Sequence, residues 1–315
     1  MLEAVMLWNE PNNLSHWNRD LDPEWRLFSA MARAAGERVA SVAPGLTRVL
    51  GGVSPMDPRF IQNLFAQGVG EAVDVVAVHG FPLDWARWHV DEWPERLDGM
   101  LECAAGKPLW ATEVGASSFV SQELQAWGLD RTAELLLPKA ERVYWYSLLD
   151  LPERWEAQTR HRDSEGSAYF RHFRMGVYDA AGRPKLAARR LAKWAAVGLG
   201  VCEWVYWHEP ERLQMMVSRL RKLGIRRLRT GIGWADWQRP NALDWFDYVM
   251  GELSQFEVTL TLCFTPAELG IEPHHTSPPR EVRAFADFCE EVVERYGSGA
   301  ALETMPSGEE LTCAS

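Results

Sequence analysis

The chain has 315 residues, 47% of them hydrophobic and 24% charged, and a formal net charge of −11. Such a composition belongs to a folded protein with a large core, and the acidic balance excludes nucleic acid and anionic membrane as principal partners, since both require a basic face that displaces counterions. Five widely spaced cysteines without a CxxC pair, no leader-like opening segment and no apolar run of spanning length lead us to expect reduced thiols in a cytoplasmic protein.

In chain order, short runs rich in β-branched and aromatic residues predict strands over 4–8 (AVMLW), 48–52 (RVLGG), 73–79 (VDVVAVH) and 108–113 (PLWATE). Four more follow over 142–147 (RVYWYS), 201–207 (VCEWVYW), 226–231 (RRLRTG) and 258–264 (VTLTLCF). Helical periodicity fills the gaps, near 23–42, 58–68, 91–105, 130–140, 184–197, 209–223, 242–255 and 279–296. Asp22-Pro23-Glu24 and Asp57-Pro58 each offer an N-capping acid followed by a proline suited to the first helical position. Strict alternation implies parallel strands joined by helical crossovers, and eight units are the number that closes an α/β (βα)8 barrel. An open doubly wound sheet is the competitor, but no GxGxxG follows the first strand. Residues 1–297 are expected to form this single domain and 298–315 a polar tail.

Barrels of this kind carry their chemistry at the C-terminal ends of the strands. Glu10 in WNEPNN and Glu113 in PLWATEVG stand there, as do His79 and Arg229, with Trp145, Tyr146 and Trp234 close by. Each has a plainer reading. His79 also fits a core histidine, Arg229 a structural ion pair, and Trp145 and Trp234 fit the core as well as a sugar platform. His274-His275 beside Glu272 lack a third preorganised ligand, so no metal and no cofactor is expected. RTGIGW lacks the end of a phosphate loop, and in HEP, at 208–210, Glu209 reads as a helix-opening acid. The stretch 151–183 is long for a connection and reads as a binding loop over the active face or a solvated insertion.

WNEPN and TEVG, on strand ends three apart, resemble the retaining glycoside hydrolases of clan A, most closely the β-xylosidase and α-L-iduronidase type. LGIRRLRTGIGWADWQ is similar to that group's second strand, VDVVAVHGFP to its sixth, and GVYDAAGRPKLAARRLAKW to its last loop and helix. The order is rotated. PPREVRAFADFCEEVVERYG, which precedes WNEP in the family, stands at 278–297, so the resemblance implies a circular permutation in which the family's fourth strand comes first. It further implies Glu10 as acid/base, Glu113 as nucleophile, Asn9 on the sugar 2-hydroxyl, and His79, Trp145, Tyr146, Arg229 and Trp234 as substrate-binding residues. The reaction so implied is retaining hydrolysis of a β-linked, equatorial glycoside by double displacement. The competing class is a barrel that binds saccharides without cleaving them, or an assembly partner in a polysaccharide pathway.

Overall fold

The computed structural model describes residues 1–86, 88–153 and 167–297. Eight parallel strands close into a barrel in chain order: β1 (Leu2–Leu7), β2 (Thr47–Val53), β3 (Val75–Gly80), β4 (Leu109–Val114), β5 (Arg142–Tyr146), β6 (Gly200–Cys202), β7 (Arg227–Gly233) and β8 (Glu257–Cys263). β8 pairs with β1, from Leu2 opposite Val258 to Leu7 opposite Leu262, and leaves no free edge. The (βα)8 architecture read from the sequence is therefore the one observed. The tail 298–315 and part of the insertion, 154–166, lie outside the described residues.

Two apolar layers follow from the two-residue period of the strands. Ala4, Met6, Val49, Val75, Ala77, Trp110, Tyr144 and Cys202 fill the barrel interior. Their alternates, among them Val5, Leu7, Val76, Val78, Ala111, Val143 and Trp145, pack outward against the helices.

Some boundaries differ from the expectation. β6 ends at Cys202, not at 207, and the chain leaves the sheet through the only three-residue strand of the eight. The helix expected over 130–140 runs Gln122–Leu136 and is capped by Ser121, whose hydroxyl accepts from the Leu124 N–H at 3.1 Å. Asp57 caps the helix Pro58–Ala66 as expected, accepting from the Arg59 N–H at 2.9 Å. Asp22 caps by a different route. The first helix begins at Arg26, and the Asp22 carboxylate reaches forward to the N–H groups of Leu27 and Phe28 at 3.1 and 2.9 Å while accepting from Trp17 Nε1 at 3.2 Å. The acid serves the orphan donors of the helix without occupying the capping position.

Two bulges break the alternation near the C-terminal rim. On β4, Ala111 and Val114 pair with Val143 and Trp145, so three steps of β4 face two of β5. The same irregularity against β3 moves from Val78 opposite Ala111 to His79 opposite Glu113. On β2, Leu50 and Val53 pair with Val76 and Val78 across Gly51-Gly52. Bulges re-aim side chains next to sites, and that is their effect here.

Candidate active site

Trp110 points inward and Ala111 outward, so unbroken alternation would send Thr112 inward and Glu113 out among the helices. The β4 bulge turns both inward. Thr112 Oγ1 lies 3.0 Å from His79 Nε2, and Glu113 Oε2 lies 3.6 Å from His79 Nδ1. Glu10 reaches the same place by backbone geometry, for Trp8 and Glu10 both adopt left-handed φ values, 75° and 44°. Non-glycine residues there carry strain of about 1–3 kcal/mol, which surrounding structure must hold. That turn brings Glu10 Oε1 to 2.8 Å from His79 Nδ1.

One potential ligand atom from each of Glu10, His79 and Glu113 lies within 4.8 Å of the other two, so the two carboxylates face each other across a single gap. Glu10 and Glu113 retain 6% and 7% of their surface, whereas His79 and Arg229 beneath them retain 1% and none. The acids are thus the groups at the mouth, supported by a closed layer.

That layer is held by Arg229. Its Nη1 pairs with Glu113 Oε1, its Nη2 donates to Asn9 Oδ1 at 2.7 Å, and its Nε donates to Thr261 Oγ1 at 3.0 Å. Burial opposes the guanidinium charge, but the Glu113 carboxylate and the hydrogen bonds to Glu113 and Cys202 outweigh it and keep the group protonated, above its ordinary value. Cys202 Sγ, 3.1 Å from Nη1, is a buried thiol pushed upward by desolvation and is not a thiolate.

His79 is pushed down to about 3, first by burial and then by Arg229 against the opposing pull of Glu113, so its imidazole is neutral. A neutral ring has one donor and one acceptor. With the proton on Nε2 it donates to Thr112 and accepts from a protonated Glu10; with the proton on Nδ1 it donates to an ionised Glu10. Both protonation states of Glu10 are therefore matched by a tautomer of one fixed ring. The far oxygen, Oε2, accepts from Asn13 Nδ2 at 2.7 Å and lies 3.3 Å from His16 Nδ1. Burial lowers His16, against the attraction of Glu10.

The structure thus brings together Glu10, Glu113, Asn9, His79 and Arg229. Tyr146, inward-facing at the end of β5, joins them, its hydroxyl pushed upward by burial and by the nearby Tyr206 and Glu113. Trp145 and Trp234 are a correction. Trp145 alternates with Tyr144 and Tyr146 and is buried in the outer layer, and Trp234 is enclosed against Phe285 and Phe288, ring centres 5.6 and 5.8 Å away. Neither can meet a sugar. The aromatic beside the site is Trp204, two residues past β6, whose ring lies 5.7 Å from the Arg229 guanidinium and 6.4 Å from Phe264. Gly231 makes room for it: a β-carbon there would stand 2.1 Å from the indole. Thr112, Asn13, His16 and Trp204 were all missed by the sequence reading, although each lies within six residues of a motif that was noted.

A second buried pair secures the exit of β5. Lys185 Nζ donates to Asp150 Oδ1 at 2.6 Å, and the Gly176 N–H donates to the same oxygen at 2.9 Å. Burial outweighs these contacts, pushing Asp150 up to about 6 and Lys185 below its ordinary value. Folding therefore strengthens proton binding by Asp150. Its contribution to stability is complete below the unfolded value of 3.8 and is lost as pH rises through about 6. The stability difference between wild type and Asp150→Asn, from urea unfolding at pH 4 to 7, is expected to shift against wild type up to about pH 6 and then level off. A difference that does not vary across this range contradicts the assignment.

Neither a protein-family model nor a curated protein matches the chain. Among solved structures, it is similar to a family 2 β-galacturonidase from Eisenbergiella tayi, at 21% identity over 48% of this chain and 27% of that one, with a TM-score of 0.35. A family 17 β-1,3-glucanosyltransferase from Rhizomucor miehei is 16% identical over 50% of this chain and 56% of its own, with a TM-score of 0.36. UMP synthase from Leishmania donovani is 12% identical over 94% of this chain and 54% of its own, with a TM-score of 0.43. The chain spans less than two thirds of the length of each of these three. No helix among the described residues is long and apolar enough to cross a membrane.

Proposed function

We propose that the protein is a retaining glycoside hydrolase acting on a β-linked, equatorial glycoside, a circularly permuted relative of the β-xylosidase and α-L-iduronidase type. The observation that carries this reading is the meeting of Glu10 and Glu113 at the barrel mouth, with one oxygen of each within 4.8 Å. Retaining enzymes hold their carboxyl groups about 5–5.5 Å apart, whereas inverting enzymes leave about 6.5–9.5 Å for a water.

In the first step Glu113, with its charge balanced by Arg229, attacks the anomeric carbon as Glu10 gives its proton to the departing oxygen. The glycosidic C–O bond breaks and a glycosyl ester forms on Glu113. In the second step Glu10 takes a proton from water, the water oxygen attacks the same carbon, and Glu113 leaves as a carboxylate. His79 follows by changing tautomer. Asn9, fixed by Arg229, presents its amide to the sugar 2-hydroxyl, and Tyr146 and Trp204 flank the ring.

A panel of aryl β-glycosides tests this. Cleavage of at least one sugar is expected, with the β-anomer appearing first by NMR. Initial release of the α-anomer excludes retention, and saccharide affinity with no cleavage of any member favours the non-catalytic binder. Gly52 offers a sharper check of His79. A β-carbon at this β2 position would stand 2.0 Å from His79 Nε2. Gly52→Ala is therefore expected to displace the ring and lower kcat/KM by about a hundredfold, the cost of a misplacement near 1 Å, with a near-normal melting curve. Undiminished turnover in that variant argues against His79 as the support of Glu10.

A further inference from the structure

We propose that Glu10, His79 and Glu113 form a site for a divalent ion of the zinc type, and that ion and saccharide exclude one another at the barrel mouth. The three groups come from the ends of β1, β3 and β4, and each has one polar atom engaged elsewhere. Glu10 Oε2 accepts from Asn13, Glu113 Oε1 is paired with Arg229, and His79 Nε2 meets the Thr112 hydroxyl. The other atom of each turns to a common point: His79 Nδ1 lies 2.8 Å from Glu10 Oε1 and 3.6 Å from Glu113 Oε2. Partners such as Thr112 and Asn13 do for these ligands what outer hydrogen bonds do in zinc sites, where they fix the tautomer and orient the ligating atom.

Zinc bonds of about 2.0–2.2 Å in a tetrahedral site imply ligand atoms roughly 3.3–3.6 Å apart. Two of the three separations bracket that range and the third, between the carboxylates, is within 4.8 Å, so closure of the two acids by up to about 1 Å forms the site. One imidazole and two carboxylates suit zinc, cobalt or nickel; magnesium and calcium require more oxygens than the three groups supply. With Glu10 deprotonated, two carboxylates against one guanidinium leave a net negative charge for a dication to offset. Arg229 opposes the ion, which makes the site a reversible one and not the seat of a resident cofactor. Among the described residues, His274-His275 belongs to no such cluster of three convergent groups.

The ion site needs only the geometry, and the exclusion of saccharide rests on the hydrolase reading. The full chain is titrated with Co2+ and followed by visible absorption. One equivalent is expected to bind and to be displaced by Zn2+. Glu10→Gln and His79→Asn, checked for folding by circular dichroism, are expected to weaken binding at least tenfold, and a His274→Ala/His275→Ala variant to leave it unchanged. On a cleaved aryl glycoside, Zn2+ is expected to raise KM at constant kcat. No absorption change, uptake that survives Glu10→Gln, or uptake lost with His274 and His275 overturns the site. Activation by Zn2+ overturns the exclusion. Failure to cleave any glycoside would sink the hydrolase reading alone, because the cobalt titration is read without turnover.

Discussion

Glu113→Ala is expected to lower kcat on an aryl β-glycoside by roughly 10^4 to 10^6, the scale on which loss of a nucleophile acts. Sodium azide should then restore turnover. The small anion enters the space of the missing carboxylate, attacks the anomeric carbon and yields the α-glycosyl azide, inverted relative to the substrate. Glu10→Ala behaves differently, because Glu113 still forms its ester; azide then opens that ester and gives the β-azide. An α-azide from the Glu10 variant would exchange the two roles. Glu113→Ala also leaves Arg229 enclosed without its counter-charge, so a melting curve must accompany the kinetics, and Glu113→Gln provides the gentler second variant.

Arg229→Met should cost about 3–5 kcal/mol of stability, the usual consequence of leaving a buried charge unpaired. Methionine fills much of the volume but abandons Glu113, Asn9 and Thr261 together. Arg229→Lys keeps a charge yet has no planar fork to reach Glu113 and Asn9 at once, so it should retain more stability while kcat/KM falls by about a hundredfold or more. Urea unfolding and steady-state kinetics on the two variants separate these effects. A methionine variant as stable as wild type would mean that Arg229 does not hold the layer under the carboxylates.

The strands were legible because each is an apolar run bounded by turn chemistry, and eight alternations left little choice of architecture. The end of β6 was not, because VCEWVYW continues the β pattern for five residues after the strand ends. Glu10 was legible from NEP and Glu113 from its place at a strand end, but the reason that Glu113 points inward is a bulge, and no spacing in PLWATEVG marks one. Trp145 and Trp234 were misread for opposite reasons. Strict alternation from Tyr144 already assigns Trp145 to the outer face, whereas Trp234 enters the core only because a short helix, Trp234–Trp237, turns it against Phe285 and Phe288. His79 fits both of its readings at once: an enclosed histidine that supports an acid at the surface.

The irregular step in β4 means that the placement of a carboxylate is decided by counting. Deleting Thr112 would remove the surplus residue and leave the acid directly after outward Ala111, still turned inward but without the hydroxyl beneath His79. A ribbon of unchanged length that ran without the irregular step would instead keep the scaffold and forfeit the chemistry, its acid lodged in grease between sheet and helices, a change that ordinary measures of similarity scarcely register.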